Sequence, residues 1–226
     1  MPSKPVRAIG LYQGSCPIID TLSKTTEDFM LKPLQLHTRD GKVVLWAKVK
    51  GSKRRVKTLM RGLSRIKGST YTIINGSNNS SLISISLPKS ACKATTCPLS
   101  NPPEGILVLS SLITPKGILV LIVSPSLRNL SKAEESGLTI LDLIDAGEPA
   151  MLTSDQEKIL VYAYERGYYE YPRKATLKDL SESLGLSIST LAESLRRAER
   201  KTMNSIVLDD LILHRYKDEI GEKEEK

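Results

Sequence analysis

Between residues 152 and 201 the chain leaves itself little conformational choice. Thr153 is followed three residues later by Gln156, the spacing at which an N-cap and a third-position side chain each satisfy a free backbone N–H. The helix opened there presents Ile159, Leu160, Ala163 and Tyr164 until Gly167 stops it, and the aromatic turn 168–173 follows. Thr176 caps a second helix, with Leu177, Leu180 and Leu184 inward and Asp179 at its third position. Gly185-Leu186-Ser187 is then a tight turn whose serine caps a third helix over 188–207. With Leu191 at the zero of a helical wheel and ~100 degrees per residue, Ile188, Leu195 and Ala198 fall within about 60 degrees of it. They form a buried stripe, and the last two helices read as a helix-turn-helix.

The opposite side of the third helix carries residue types that reach bases and phosphates when a helix enters a major groove. Ser189, Thr190, Glu193 and Arg197 are the candidates for reading bases. Arg173, Lys174, Ser187, Arg196, Arg200 and Lys201 suit the phosphate backbone. At this point a resemblance becomes specific. Leu152-Thr153, Gln156, Ala163, Gly167-Tyr168, Pro172-Arg173, Thr176, Leu184-Gly185-Leu186-Ser187, Thr190-Leu191 and Leu195-Arg196-Arg197-Ala198-Glu199, then Lys201, resemble the bacterio-opsin activator-type helix-turn-helix family of archaeal transcription regulators. The resemblance covers residues 151–207 and implies sequence-specific binding of double-stranded DNA by a cytoplasmic protein. Ser181 stands where the family usually has Ala, and nothing in 1–150 resembles the PAS and GAF sensor modules of the founding activator. The other reading of the same residues is a helix-turn-helix that contacts a protein partner, within a ligand-binding or interaction module.

Charge does not mark the DNA-binding half. The net charge of +8 sits upstream, with 20 Lys/Arg against 10 Asp/Glu in residues 1–150 and 13 against 15 in 151–226. Nine basic residues and no acid lie between Lys48 and Lys67. Arg54, Arg55, Lys57 and Arg61 in that segment read as a second contact to the DNA backbone, a solvated helix face, or a site for a small anion.

The first 147 residues alternate between β-prone and helical patterns. Strands are expected at 6–12, 34–38, 43–49, 70–74 and 82–87, with a hairpin turn at Asp40-Gly41. A short helix begins at Pro17, and a longer one over 52–67, capped by Ser52, buries Val56, Leu59, Met60, Leu63 and Ile66. The apolar stretch 105–123 is broken by Pro115-Lys116-Gly117 into two strand-length runs, a buried hairpin rather than a membrane span. A helix over 131–146 closes the domain, with Gly147 and Pro149 beyond it. Thr96-Cys97-Pro98-Leu99 echoes Ser15-Cys16-Pro17-Ile18 at an offset of 81 residues, and the later hairpin and helix echo the earlier ones.

The expected fold is therefore α+β. A duplicated ferredoxin-like or ACT-like domain occupies 1–147, with repeats at about 5–75 and 82–147, that senses a small-molecule effector or forms a homodimer. A helix-turn-helix domain follows at 150–214, and a charged tail at 215–226. Three cysteines without a secretory leader point to a reducing compartment. Cys16 and Cys97 each precede a proline at a helix start, where a thiolate would be stabilised, so they read either as redox residues or as small packing side chains. No glycine-rich phosphate loop, HExxH or GxSxG occurs, the two histidines lie in unrelated segments, and neither enzyme, metal nor cofactor is expected.

Overall fold

Eight strands form one antiparallel sheet in the order β4-β5-β3-β2-β6-β7-β1-β8. The structure, a computed structural model, describes residues 5–24, 30–50, 53–76, 80–92, 97–144, 152–207 and 211–222. The first run of elements is β1 (Val6–Tyr12), α1 (Pro17–Leu22), β2 (Met30–Arg39), β3 (Lys42–Lys50), α2 (Lys53–Leu63) and β4 (Thr70–Gly76). A second run follows as β5 (Ser80–Pro88), β6 (Leu107–Thr114), β7 (Gly117–Ser124), α3 (Leu127–Glu135) and β8 (Leu138–Ile144). The helices α4 (Ser154–Glu165), α5 (Leu177–Leu184), α6 (Ile188–Ile206) and α7 (Ile212–Glu222) complete the chain. Two compact units result, Met1–Ala146 together with Ile212–Lys226, and Gly147–Leu211. The expected boundary at 146–149 and the Ser52 cap lie outside the described residues. Among the described residues no helix is long and apolar enough to cross a membrane.

The fold is α+β, as the sequence indicates, but its strands do not sort into two self-contained repeats. β1 pairs with β7 and β8, whereas β5 pairs with β3 and β4, so each run lends its first strand to the other half of the sheet. The side-chain patterns explain the exchange. In β1 the consecutive residues Ala8, Ile9, Gly10, Leu11 and Tyr12 are all buried, so both faces of that strand must be covered. β5 alternates instead, with Ile83, Ile85 and Leu87 buried and Ser84 and Ser86 half-buried on the other side. β1 therefore belongs in the half with two covered faces, and β5 in the half with one. Gly10 reinforces the choice, since a Cβ there would come within 2.9 Å of Leu138 at the start of β8.

One face of the sheet is covered by α1, α2 and α3, whose Ile18, Leu22, Val56, Leu59, Met60, Leu63, Leu130 and Ala133 pack on Leu45, Ala47, Ile83, Ile85, Val120 and Ile122. On the other face Ile9, Leu11, Leu112, Leu119 and Leu121 lie beneath α7, which contributes Leu213 with Ile212, Tyr216 and Ile220. Lys116 Nζ donates to the Ile220 carbonyl at 3.1 Å, and the Tyr216 hydroxyl donates to the Asp142 carboxylate. Residues 215–222 are thus helix on the sheet, where the sequence reading leaves a charged tail at 215–226. The alternation of Lys217 and its charged neighbours with Leu213, Tyr216 and Ile220 masks an apolar stripe at helical spacing.

Two other expectations meet the structure differently. The Asp40-Gly41 turn forms, with φ of 50° and 71° at its two central residues, the left-handed geometry that matches strand twist. The expected helix over 131–146 does not. Ser126 caps α3 by accepting from Asn129 N, Gly137 at φ 90° ends it, and the following residues form the edge strand β8. Leu138 and Ile140 turn toward the helical face at strand spacing, which mimics the end of an amphipathic helix.

Candidate nucleic-acid interface

Both N-caps of the helix pair form as the spacing predicts. Gln156 N donates to Thr153 Oγ1 at 3.3 Å while Thr153 N donates to Gln156 Oε1 at 3.1 Å, opening α4. Asp179 N donates to Thr176 Oγ1 at 3.2 Å and Thr176 N to the Asp179 carboxylate at 2.8 Å, opening α5. The Thr176 backbone N–H, then its hydroxyl, hold the Asp179 carboxyl below its ordinary range. Gly185 ends α5 at φ 65°, and Leu186 N closes onto the Ser181 carbonyl at 3.0 Å. Ser187 caps α6, accepting from Thr190 N at 3.1 Å.

Ala163, Leu180, Leu191 and Leu195 form the core of this unit, joined by Ile159, Leu160, Leu177, Leu184 and Leu186. The stripe is shorter than the wheel suggests. Ile188 is 49% exposed and Tyr164 73% exposed, whereas Leu191 on α6 and Ala163 on α4 are buried. Ser181 is buried, and its hydroxyl donates to the Lys178 carbonyl at 2.8 Å, so a serine is accommodated where the family usually has alanine.

Ser189, Thr190, Glu193, Arg196, Arg197 and Arg200 are all exposed on α6. Ser187 Oγ lies 2.9 Å from Ser189 Oγ and 2.8 Å from Thr190 Oγ1, a cluster of three hydroxyls at the start of the helix. One turn on, Arg197 pairs with Glu193. The other expected phosphate residues are placed apart from this group. Arg173 stacks over the Tyr168 ring at 4.9 Å, Lys174 pairs with Glu170 at 2.6 Å, and Lys201 Nζ donates to Gln156 Oε1 at 3.1 Å. Lys201 therefore ties α6 to the first turn of α4. A second tie runs from the Tyr169 hydroxyl to Glu199 Oε1 at 2.7 Å, and burial with that carboxylate pushes the phenol well above its ordinary range. These two bonds tie α6 to the 168–173 turn and to α4 and are not legible in the chain, since nothing local to Glu199 or Gln156 names a partner 30 or 45 residues away.

The weaker candidates fall elsewhere. Arg54 and Lys57 are exposed on α2, the Arg55 side chain lies outside the described residues, and Arg61 lines a groove against α1. Cys16 and Cys97 do converge, with Cys92, on a cavity of about 30 Å³ walled by Leu36, Leu45 and Ile85. Burial pushes the Cys16 thiol up to about 11, outweighing the pull of the backbone N–H groups of Ile19 and Ile18. The thiolate that a helix start would stabilise is thus suppressed by its apolar surroundings. Among the described residues no three His, Cys, Asp or Glu side chains group as metal ligands.

Comparison with known proteins bears on the same segment. Residues 152–204 match the family described as an HTH DNA binding domain. Over 83 residues the chain is 35% identical to transcriptional regulator NarO of Haloferax volcanii, a stretch that is 36% of this chain and 38% of that protein. A putative transcriptional regulator of the same organism is 43% identical over 54 residues, and its dimethyl sulfoxide reductase transcriptional activator 38% identical over 55 residues. These stretches make up 24% of this chain in both cases, and 9% and 26% of the two relatives, so the chain matches well under half the length of each. The capped helices, the glycine turn and the exposed face of α6 make residues 152–204 a helix-turn-helix DNA-binding domain of the bacterio-opsin activator type.

Proposed function

We propose that this protein is a sequence-specific transcription regulator that reads the major groove with α6. The observation that carries the reading is the solvent-facing group Ser187, Ser189, Thr190, Glu193 and Arg197 on a helix whose other side is locked into a capped core. Thr190 and Ser189 sit in the first turn, where a recognition helix meets base edges. Arg197 offers a fork for guanine and Glu193 an acceptor for the cytosine amino group. Their mutual ion pair is exposed and costs little to open, about 0–1 kcal/mol. Arg196 and Arg200 approach phosphates, with Arg173, Lys174 and Lys201 released or shared on docking. Binding by Thr190→Ala and Arg197→Ala, measured by fluorescence anisotropy on a selected site, should weaken by roughly 5- to 100-fold each, the effect of losing ~1–3 kcal/mol of base contact. Undiminished binding by both variants would overturn the assignment of the reading face.

The N-terminal unit, in this reading, joins two copies and responds to a small-molecule effector. The edge strand β4 supports the first part. Its sequence TYTIING carries no charge or proline, Tyr71, Ile73 and Ile74 are at least 40% exposed, and the opposite edge β8 is guarded by Asp142. An antiparallel pairing of β4 with its copy about a two-fold axis extends the sheet and suits a palindromic operator. Thr72→Lys, which places like charges in that pairing, should shift the sedimentation coefficient from dimer to monomer at micromolar protein. A wild-type chain that sediments as a monomer both free and on DNA excludes the dimer.

A further inference from the structure

We propose that the groove between α1 and α2 binds a small polyanion bearing carboxylate or phosphate groups, which makes it the effector site of the N-terminal unit. This rests on the reading of that unit as the responsive part of a regulator. The groove has a volume of about 620 Å³, within the usual range for small-molecule sites of roughly 300–1,000 Å³. Asp20 and Thr21 of α1, with Lys24 just beyond its end, face Arg61 and Gly62 of α2, with Arg65 just beyond its end. The helices touch at the floor, where a Cβ on Gly62 would stand 2.5 Å from Thr21 Cγ2. The Thr21 hydroxyl donates to the Pro17 carbonyl at 2.8 Å, so the floor is electrically quiet and the charge lies on the rims.

Three cations, Lys24, Arg61 and Arg65, converge there from segments far apart in sequence, against the single carboxylate of Asp20 on the described wall. The ion pairs on the β2–β3 turn and in the helix-turn-helix unit involve none of these three cations. Arg61 in the last turn of α2 and Arg65 in the turn that follows it both line the groove, so their like charges repel until an anion sits between them. Two guanidinium forks and an ammonium around a concavity match a ligand with at least two anionic groups. The surplus charge of α2 and of the turn after it is thereby divided. Arg54 and Lys57 face solvent outside the groove, and Arg61 with Arg65 line it. A DNA backbone would favour the convex, outer residues, whereas a concave pair of arginines favours a ligand that fits inside.

Isothermal titration of the full chain with pyrophosphate and with citrate, at ionic strength held constant by chloride, tests this and separates the two chemistries. Saturable binding of one of them is expected, weakened roughly tenfold or more in the Arg61→Gln/Arg65→Gln variant, as follows when charge-assisted hydrogen bonds are lost. Lys57→Gln should bind as the wild type does. Absence of saturable binding by both ligands, or equal binding by the double variant, overturns the site. So does a drop in DNA affinity of the ligand-free double variant with a shallower salt dependence, since the arginines would then be DNA contacts. Thr190→Ala leaves the groove intact, so anion binding that persists in that variant separates a failure of the DNA reading from a failure of this one.

Discussion

Removal of residues 211–226 is expected to turn the N-terminal unit into an aggregating species that binds hydrophobic dyes. α7 covers Ile9, Leu11, Leu112, Leu119 and Leu121, five side chains that are each 6% exposed or less. Without it they form a continuous apolar face on the central strands, and each forfeits part of the ~1.5–3 kcal/mol that full burial of such a side chain contributes. The milder Leu213→Ala removes the one buried residue among the described side chains of α7 and should cost about 2–5 kcal/mol, the range for such deletions in a core. Thermal unfolding and size-exclusion chromatography measure both effects. A truncated chain that stays monomeric with an unchanged melting temperature would falsify the assignment of α7 as part of this unit.

The second large effect concerns the DNA-binding unit. Leu191 is 0% exposed at the centre of a small core made with Ala163, Leu180 and Leu195, so Leu191→Ala should destabilise Gly147–Leu211 by about 2–5 kcal/mol. Small units bury a smaller fraction of their surface and have little stability to lose, so specific DNA binding is expected to vanish at physiological temperature. The N-terminal unit has its own core, and its unfolding should be unmoved. Differential scanning calorimetry then shows one transition lowered and one unchanged. If both transitions shift together by the same amount, the two units do not unfold independently.

Legibility varied with distance along the chain. Thr153 with Gln156, Thr176 with Asp179, and Gly185 before Ser187 were readable because each cap or turn joins residues within four positions of one another. The strands from 6 to 12 and from 82 to 87 were readable from composition and alternation. Their pairing is hinted at only by burial, since Ala8 to Tyr12 is apolar on both faces and Ile83 to Leu87 on one. The segment 138–144 reads as the end of a helix because its apolar residues Leu138, Leu141 and Ile144 also recur at helical spacing, and the left-handed Gly137 is what separates helix from strand. The stripe Leu213, Tyr216 and Ile220 is hidden in the sequence by the charged residues around it.

At the candidate interface the sequence supplied the residues of the proposed reading face and the structure supplied their company. Arg197 stands paired with Glu193, Ser187 shares its hydroxyl cluster with Ser189 and Thr190, and Lys201 turns back to Gln156. The cysteines show the same division. Their place near a helix start was visible, but the apolar packing that keeps Cys16 protonated belongs to residues of the strands β2, β3, β5, β6 and β7 and of the segment 92–100. Local order, the helix-turn-helix with its caps, turn and outward face, was determined by the sequence alone, because backbone hydrogen bonding and helical periodicity act over a few residues. Which strands neighbour each other, what covers the second face of the sheet, where Lys24 meets Arg61 and Arg65, and how α6 is held were decided only by the tertiary structure. Each of those depends on burying apolar surface and satisfying polar groups between residues tens of positions apart, and burial has no direction along the chain to read.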